Sequence, residues 1–256
     1  MDTVFPPASY STSTVGADGV LRSLTGTITF DLNEAFPVPP PPITLTSYAS
    51  GTVSTPSSAI SMTLPSANAG DTVVIYVTTD SATPGAPDAV SAIGAPDLPW
   101  AKLGTVNTTV NPEQTLEVWA ARTPAALTSA LVSVGLHVPP AAANAVVMAF
   151  SRVSSVQITE GPMVSAQAPA PGGIPLIAHI PCSASGLIVA ASGNDNSAPV
   201  PPVYAPLTEI AQSANNSGSG SFLTVGSYAP GAAGNFTVLF GASNDYAAGA
   251  IVLKNG

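Results

Sequence analysis

The sequence predicts an all-β protein: an antiparallel, jelly-roll-like β-sandwich built from two pseudo-repeats, preceded by an extended β-hairpin arm. Three observations carry this prediction. The chain has 256 residues, 45% of them hydrophobic but only 7% charged, against a usual ~25% charged. Disordered chains pair low hydrophobicity with high charge, so this composition belongs to a folded protein with a real core. Val and Thr runs, which favour strands, alternate with clusters of Gly and Pro, which punctuate turns. Finally, the second half of the chain echoes the first, segment by segment.

Residues 1 to 36 form a first unit, an anchoring arm. STSTV (11 to 15) and LTGTITFDL (24 to 32) alternate polar and apolar residues, the period of a half-buried strand. GADG (16 to 19) between them is a turn signal. Isolated hairpins are marginal in water, so this one is expected to dock. The linker 37 to 42 follows, with Pro39 to Pro42 consecutive. Such a run favours polyproline II and would span roughly 15–20 Å. It reads as a spacer between a docked piece and a displayed piece. The blander reading is an ordinary connector, and a third is a PxxP ligand for a partner domain.

The head, 43 to 256, is a series of short strands, clearest at 71 to 79, 115 to 123, 130 to 138 and 144 to 153. Their spacing is that of a sandwich or barrel. Pseudo-repeats run from about 43 to 154 and about 170 to 256. GDTVVIYVTTDSA (70 to 82) matches GLIVAASGNDNSA (186 to 198) at an offset of 116, as MTLP (62 to 65) matches AHIP (178 to 181). WAKL then matches YAPL, LEVWAARTP matches LTVGSYAP, VSV (132 to 134) matches FTV (236 to 238), and AVVMAF matches GAIVL. Two units of this kind make either two small sandwiches or one merged domain. The strand-like connector 154 to 175 favours merging, which would also cover strand edges.

Charge excludes several functions. The net charge is −9, and the cations are Arg22, Lys102, Arg122, Arg152 and Lys254. Five scattered cations build no basic patch for nucleic acid or an anionic membrane. No basic segment followed by an apolar one marks a signal peptide. The longest apolar run, near AVVMAF (145 to 150), is far below the ~18 residues of a membrane span. Cys182 is the single cysteine, so no internal disulfide forms, and a reducing compartment is expected.

Catalytic signals are thin. His137 and His179 lack partners at metal-ligand spacing and read as partly buried strand residues. GSGSF (218 to 222) is a Gly/Ser loop, not a nucleophile elbow. A glycosidase needs two opposed carboxylates; Asp80, Asp88, Asp97, Glu113 and Glu117 are candidates, but solvated acids are the default. Trp119 reads as core or an inter-sheet plug. Trp100, with Tyr204 at the matching position of the second half, is the candidate for a sugar-binding platform, against a packing anchor. GNDNSAP (193 to 199) lacks EF-hand spacing and reads as a polar turn. The glycosylation patterns at Asn107 and Asn235 carry no weight without secretion. No cofactor and no metal is expected.

Gly70-Asp71, Trp100, Leu116 to Pro124, Val132 to Val134 and Ala145 to Phe150 together resemble a β-sandwich module of tail and virion-surface proteins of phages infecting actinobacteria. The front segment FPPASYSTSTVGADGVLRSLTGTITFDL looks like the attachment arm of such minor tail proteins. The resemblance covers most of the chain, through packing patterns and not chemistry. It implies a non-enzymatic virion structural protein, a minor tail or tail-tip component made in the host cytoplasm. The arm would dock through Phe5, Tyr10, Val20, Leu24, Ile28 and Phe30. Implied partners are other tail or capsid proteins, further copies of the chain (a trimer among the options) and a host cell-wall glycan, with neither nucleic acid nor membrane insertion. A capsid decoration protein and a carbohydrate-binding adhesin are the alternatives.

Overall fold

A computed structural model describes residues 8–15 and 21–28, and residues 41–255 apart from 55–56, 82–89, 95–97, 108–112, 138–139, 141, 159–165, 169–175, 196–202, 216–220 and 242–244. The chain divides into two compact units, residues 1–39 and 40–256. In the first, β1 (Ala8–Val15) and β2 (Leu21–Ile28) pair antiparallel. Of the expected docking residues, Tyr10, Leu24 and Ile28 lie on these strands, paired with Gly26, Thr12 and Ala8. Phe5, Val20, Phe30 and the turn 16 to 19 lie outside the described residues.

The second unit is all strand and turn among the described residues. Its first half contains β3 (Thr44–Ser54), β4 (Ala59–Ala67), β5 (Thr72–Ser81), β6 (Val90–Gly94), β7 (Ala101–Asn107), β8 (Glu113–Arg122), β9 (Leu127–Leu136) and β10 (Ala142–Ser151). The connector supplies β11 (Ser155–Ile158) and β12 (Ala166–Ala168). The second half adds β13 (Leu176–Cys182), β14 (Leu187–Asp195), β15 (Thr208–Asn215), β16 (Ser221–Tyr228), β17 (Gly234–Leu239) and β18 (Asp245–Lys254). One large sheet runs β3-β10-β5-β8-β7, the other β11-β18-β14-β16-β15 with β12 also on β18. The smaller sheets are β4-β9-β6 and β13-β17.

Alternation along single strands explains how these sheets stack. In β5, Val74 and Tyr76 enter one core with Met148, Val189, Val225 and Ile251. Val73, Ile75 and Val77 enter another with Met62, Leu64, Val132 and Val134 of β4 and β9. In β14, Ile188 and Ala190 enter a third with Ile177, Ile180 and Val238 of β13 and β17. The order is therefore four layers: β4-β9-β6, the five-stranded sheet, the six-stranded sheet, β13-β17. Both central sheets are buried on two faces, so their strands read as nearly unbroken apolar runs. That is the physical reason for the low charge. Most domains stack two or three layers, and a fourth leaves less surface to solvate.

The halves share a central core, but they meet face to face and exchange no strand among the described residues. They form one compact unit, in which the two halves stack through their larger sheets. The sheet segments β10-β5-β8-β7 and β18-β14-β16-β15 have the same order. The turn before each second strand also matches: Asp71 N donates to Asn68 O at 3.1 Å, and Gly186 N to Ser183 O at 3.0 Å. Asn68 thus corresponds to Ser183 and Asp71 to Gly186, a step of 115 residues. The expected offset of 116 is corrected by one here. With 116, inward Val74 would fall on Ala190, which faces the opposite core; a one-residue slip moves every strand side chain to the other face.

Tyr76 ties the halves together. It is fully buried and donates its hydroxyl to Val189 O of the facing sheet at 2.8 Å. Burial pushes its hydroxyl far above an ordinary phenol, and burial also raises Tyr246. The unfolded chain releases these protons near pH ~10, where the folded chain keeps them. Their contribution is therefore complete below pH ~10 and is lost as pH rises above it. We expect the urea midpoint to fall between about pH 9.5 and 11. Tyr76→Phe should lose about 1 kcal/mol at neutral pH and show a shallower alkaline decline. Equal slopes in the two proteins would remove Tyr76 as the cause.

Candidate functional site

The strands give the head two unlike ends. At one, here the basal end, the described residues of the head begin. Pro41 O accepts from Asn255 Nδ2, and Pro42 O accepts from Arg152 Nη1 at 3.4 Å. Pro41 and Pro42 are thus held where β3 starts and β10 and β18 finish. The far end lies about ten strand residues away, roughly 30 Å.

The far end is polar. Asn144 Nδ2 donates to Ser221 Oγ across the two central sheets at 3.0 Å. The Ser213 hydroxyl lies 3.1 Å from Asn144 Oδ1 and 3.0 Å from Gly51 O. Thr78 donates to Gln114 Oε1 at 3.0 Å. All these side-chain groups are buried, and they continue the strand faces that are apolar nearer the base. This network closes the central core with hydrogen bonds. Asp80 is buried beside it.

At the basal end lies an open depression of about 800 Å³ lined by Gly70, Leu98, Pro99, Arg122, Thr123 and Pro124. Gly70 has φ 84°, a left-handed conformation suited to glycine. Its N–H donates to Thr123 O at 2.8 Å, and Thr123 N donates back to Asp71 O at 2.9 Å. Asp71 Oδ2 accepts from Asn68 N at 2.8 Å and from the Thr46 hydroxyl at 3.2 Å. The Thr123 hydroxyl donates to Asn68 O at 2.6 Å. The turn's own polar groups are therefore used within it, while Arg122 is exposed at the rim.

The sequence candidates land in several places. Trp100 is half-buried against the core between β4-β9-β6 and the five-stranded sheet. Tyr204 is 49% exposed and follows Val203, which packs on the core of β13-β17. These cores belong to opposite outer layers, so the two aromatics form no joint platform. Trp119 packs beside the first of those cores and donates Nε1 to Glu117 Oε2 at 2.9 Å. Glu117 is fully buried, with Lys102 Nζ 3.3 Å from Oε1. Asp88 and Asp97 lie outside the described residues, as does the Glu113 side chain. Among the described residues no group of three or more His, Cys, Asp or Glu could hold a metal ion.

Both histidines are exposed, not partly buried. His137 lies just past the end of β9. His179 has φ 59° in the irregular stretch where β13 slips register between Ile177 and Ile180, which turns it outward. Cys182 is buried, and burial raises its thiol pKa, partly offset by Lys254. Sequence reasoning missed the depression. Its one signal was Arg122-Thr123-Pro124 closing a strand in a chain with so few cations. Comparison with protein-family models, curated proteins and solved structures finds no match.

Proposed function

We propose that this protein is a structural component of a bacteriophage virion, a minor tail or tail-tip protein. Residues 1–36 anchor it, and the head from 43 onward is displayed through the proline linker. One observation carries the reading: the carbonyls of Pro41 and Pro42 are bonded to Asn255 and Arg152. The head thus starts from a fixed point at its basal end, which suits display through the linker. The hairpin β1-β2 supports it too, since such a hairpin is marginal unless it docks. The matching sheet orders favour descent of both halves from one unit. Low charge and many small residues suit an assembled particle with several copies of the chain.

The test is incorporation. The full chain should co-purify with particles from its phage, whereas a chain lacking residues 1–36 should stay in the soluble fraction. Cryo-electron microscopy of the same particles would show density at the tail or, for a decoration protein, on the capsid. Incorporation of the truncated chain at the full-length level would sink the anchoring role.

A further inference from the structure

We propose that the basal depression is a docking site for an acidic partner protein, receiving an extended segment in which a large apolar side chain is flanked by carboxylates. The proposal stands whether or not the partner belongs to a virion.

The lining sets the chemistry. Leu98, Pro99 and Pro124 offer apolar surface, and Arg122 is the charged residue among the lining groups. Asp71, the nearest acid in sequence to this turn, spends Oδ2 on Asn68 N and Thr46. Arg122 Nη2 lies 4.0 Å from where a Cβ on Gly70 would stand, so the guanidinium spreads over bare backbone. An exposed guanidinium beside apolar surface suits a carboxylate next to an apolar group, because its planar fork binds carboxylates with two hydrogen bonds.

The second half shows that the turn itself does not need this arginine. At the step of 115, Asp71 is replaced by Gly186 and Ala67 by Cys182. A Cβ at Gly186 would stand 2.6 Å from Cys182 Sγ, so the sulfur fills the space that Asp71 uses in the first half. LEVWAARTP and LTVGSYAP place Leu116 on Leu223, and both enter the central core. That register puts Ala229 at the position of Arg122. The same turn therefore closes with no charge at all, and Arg122 is an addition to it.

Charge distribution names the partner's sign. Lys102 is paired with Glu117. The three other cations of the head, Arg122, Arg152 and Lys254, all end strands at the base. Arg122 and Phe150 both pair with Thr72, which puts Arg122 roughly 10 Å, two strand spacings, from Phe150, and Arg152 follows two residues later. In a chain of net charge −9, these strand ends gather the head's cations other than the acid-paired Lys102, and an acidic surface is drawn to them.

The test uses the full chain and fluorescein-labelled peptides GEFEG, GEGEG and GKFKG, followed by fluorescence anisotropy at low salt. GEFEG should bind saturably, at least fivefold tighter than either of the others. Arg122→Ala and Arg122→Gln should each weaken GEFEG at least fivefold with unchanged thermal midpoints, while Arg22→Ala should not. Two variants guard against one failing to fold. Equal binding of GKFKG, binding unaffected by both Arg122 variants, or no saturable binding of GEFEG would each overturn the proposal. None of these results depends on the arm, so particle incorporation remains a separate test.

Discussion

Replacing Gly193 with alanine is expected to destabilise the head by about 3 kcal/mol, the upper end of the ~1–3 kcal/mol typical of overpacking. A Cβ at this position would stand 2.1 Å from Thr78 Oγ1 and 2.6 Å from Thr78 Cβ. Both are far inside contact distance, and neither belongs to a flexible side-chain tip. β14 must move or the two central sheets must part, and their shared core is close-packed. For a domain this size, 1 kcal/mol shifts the thermal midpoint by roughly 2–4 °C, so Gly193→Ala should lower it by roughly 6–12 °C. Thr78 and Gly193 are counterparts at the 115-residue step, so β5 and β14 cross where each meets its own equivalent. Only one of the two can carry a side chain. Thr78→Gly alone should also destabilise, by emptying space and removing the bond to Gln114. The double variant Thr78→Gly/Gly193→Ala should recover at least ~1 kcal/mol relative to additivity. Strict additivity in a urea-denaturation cycle would show that the crossing does not limit the sheet spacing.

That crossing also shows what the sequence conceals. The strands at 71 to 79, 115 to 123, 130 to 138 and 144 to 153 were readable because β5, β8, β9 and β10 are rich in apolar residues and bounded by turn residues. The register of one half against the other was not readable. In DTVVIYVTT both faces are buried, so a one-residue slip aligns one apolar residue with another and sequence offers no penalty. Only the faces, Val74 inward and Val73 outward, settle the step. The four layers were hidden for the same reason: a run buried on both sides does not say what covers each side. Trp100 and Tyr204 are not counterparts: Ala101 lies opposite Ala120 and Thr208 opposite Ser227, so the step of 107 sets Trp100 on Leu207. Their separation follows from the stacking, which puts the outer sheet of each half on opposite sides of the molecule. The depression combines a turn at Gly70, a strand end at Arg122 and the segment Leu98-Pro99, which only the pairing of β7 with β8 brings together.

Glu117 gives the second large effect. It is fully buried, and its carboxylate gathers three strands. Oε1 accepts from Val90 N of β6 at 3.4 Å and faces Lys102 Nζ of β7 at 3.3 Å. Oε2 accepts from Trp119 Nε1 of its own strand. A buried charge of this kind is weak evidence of net stabilisation, because desolvation offsets much of the attraction. Breaking the pair is another matter. Glu117→Ala leaves Lys102 and two further donors without their acceptor, and it opens a void, so a loss of about 3–5 kcal/mol is expected. Glu117→Gln keeps the volume but turns an NH2 toward one of the donors, and about 2 kcal/mol should go. Lys102→Met should cost least, since Lys102 is 28% exposed and the carboxylate keeps Val90 and Trp119. The double variant Lys102→Met/Glu117→Leu removes both charges and should be more stable than Glu117→Ala, as apolar replacement of buried pairs tends to be. Urea midpoints would order the four variants. A Glu117→Ala loss below about 1 kcal/mol, the scale of an exposed pair, would mean that solvent reaches the cluster. The effect extends to the basal depression, because β7 begins directly after Leu98, Pro99 and Trp100. Loosening Lys102 frees the start of that strand, so Glu117→Ala should weaken GEFEG binding while the Arg122 guanidinium is untouched.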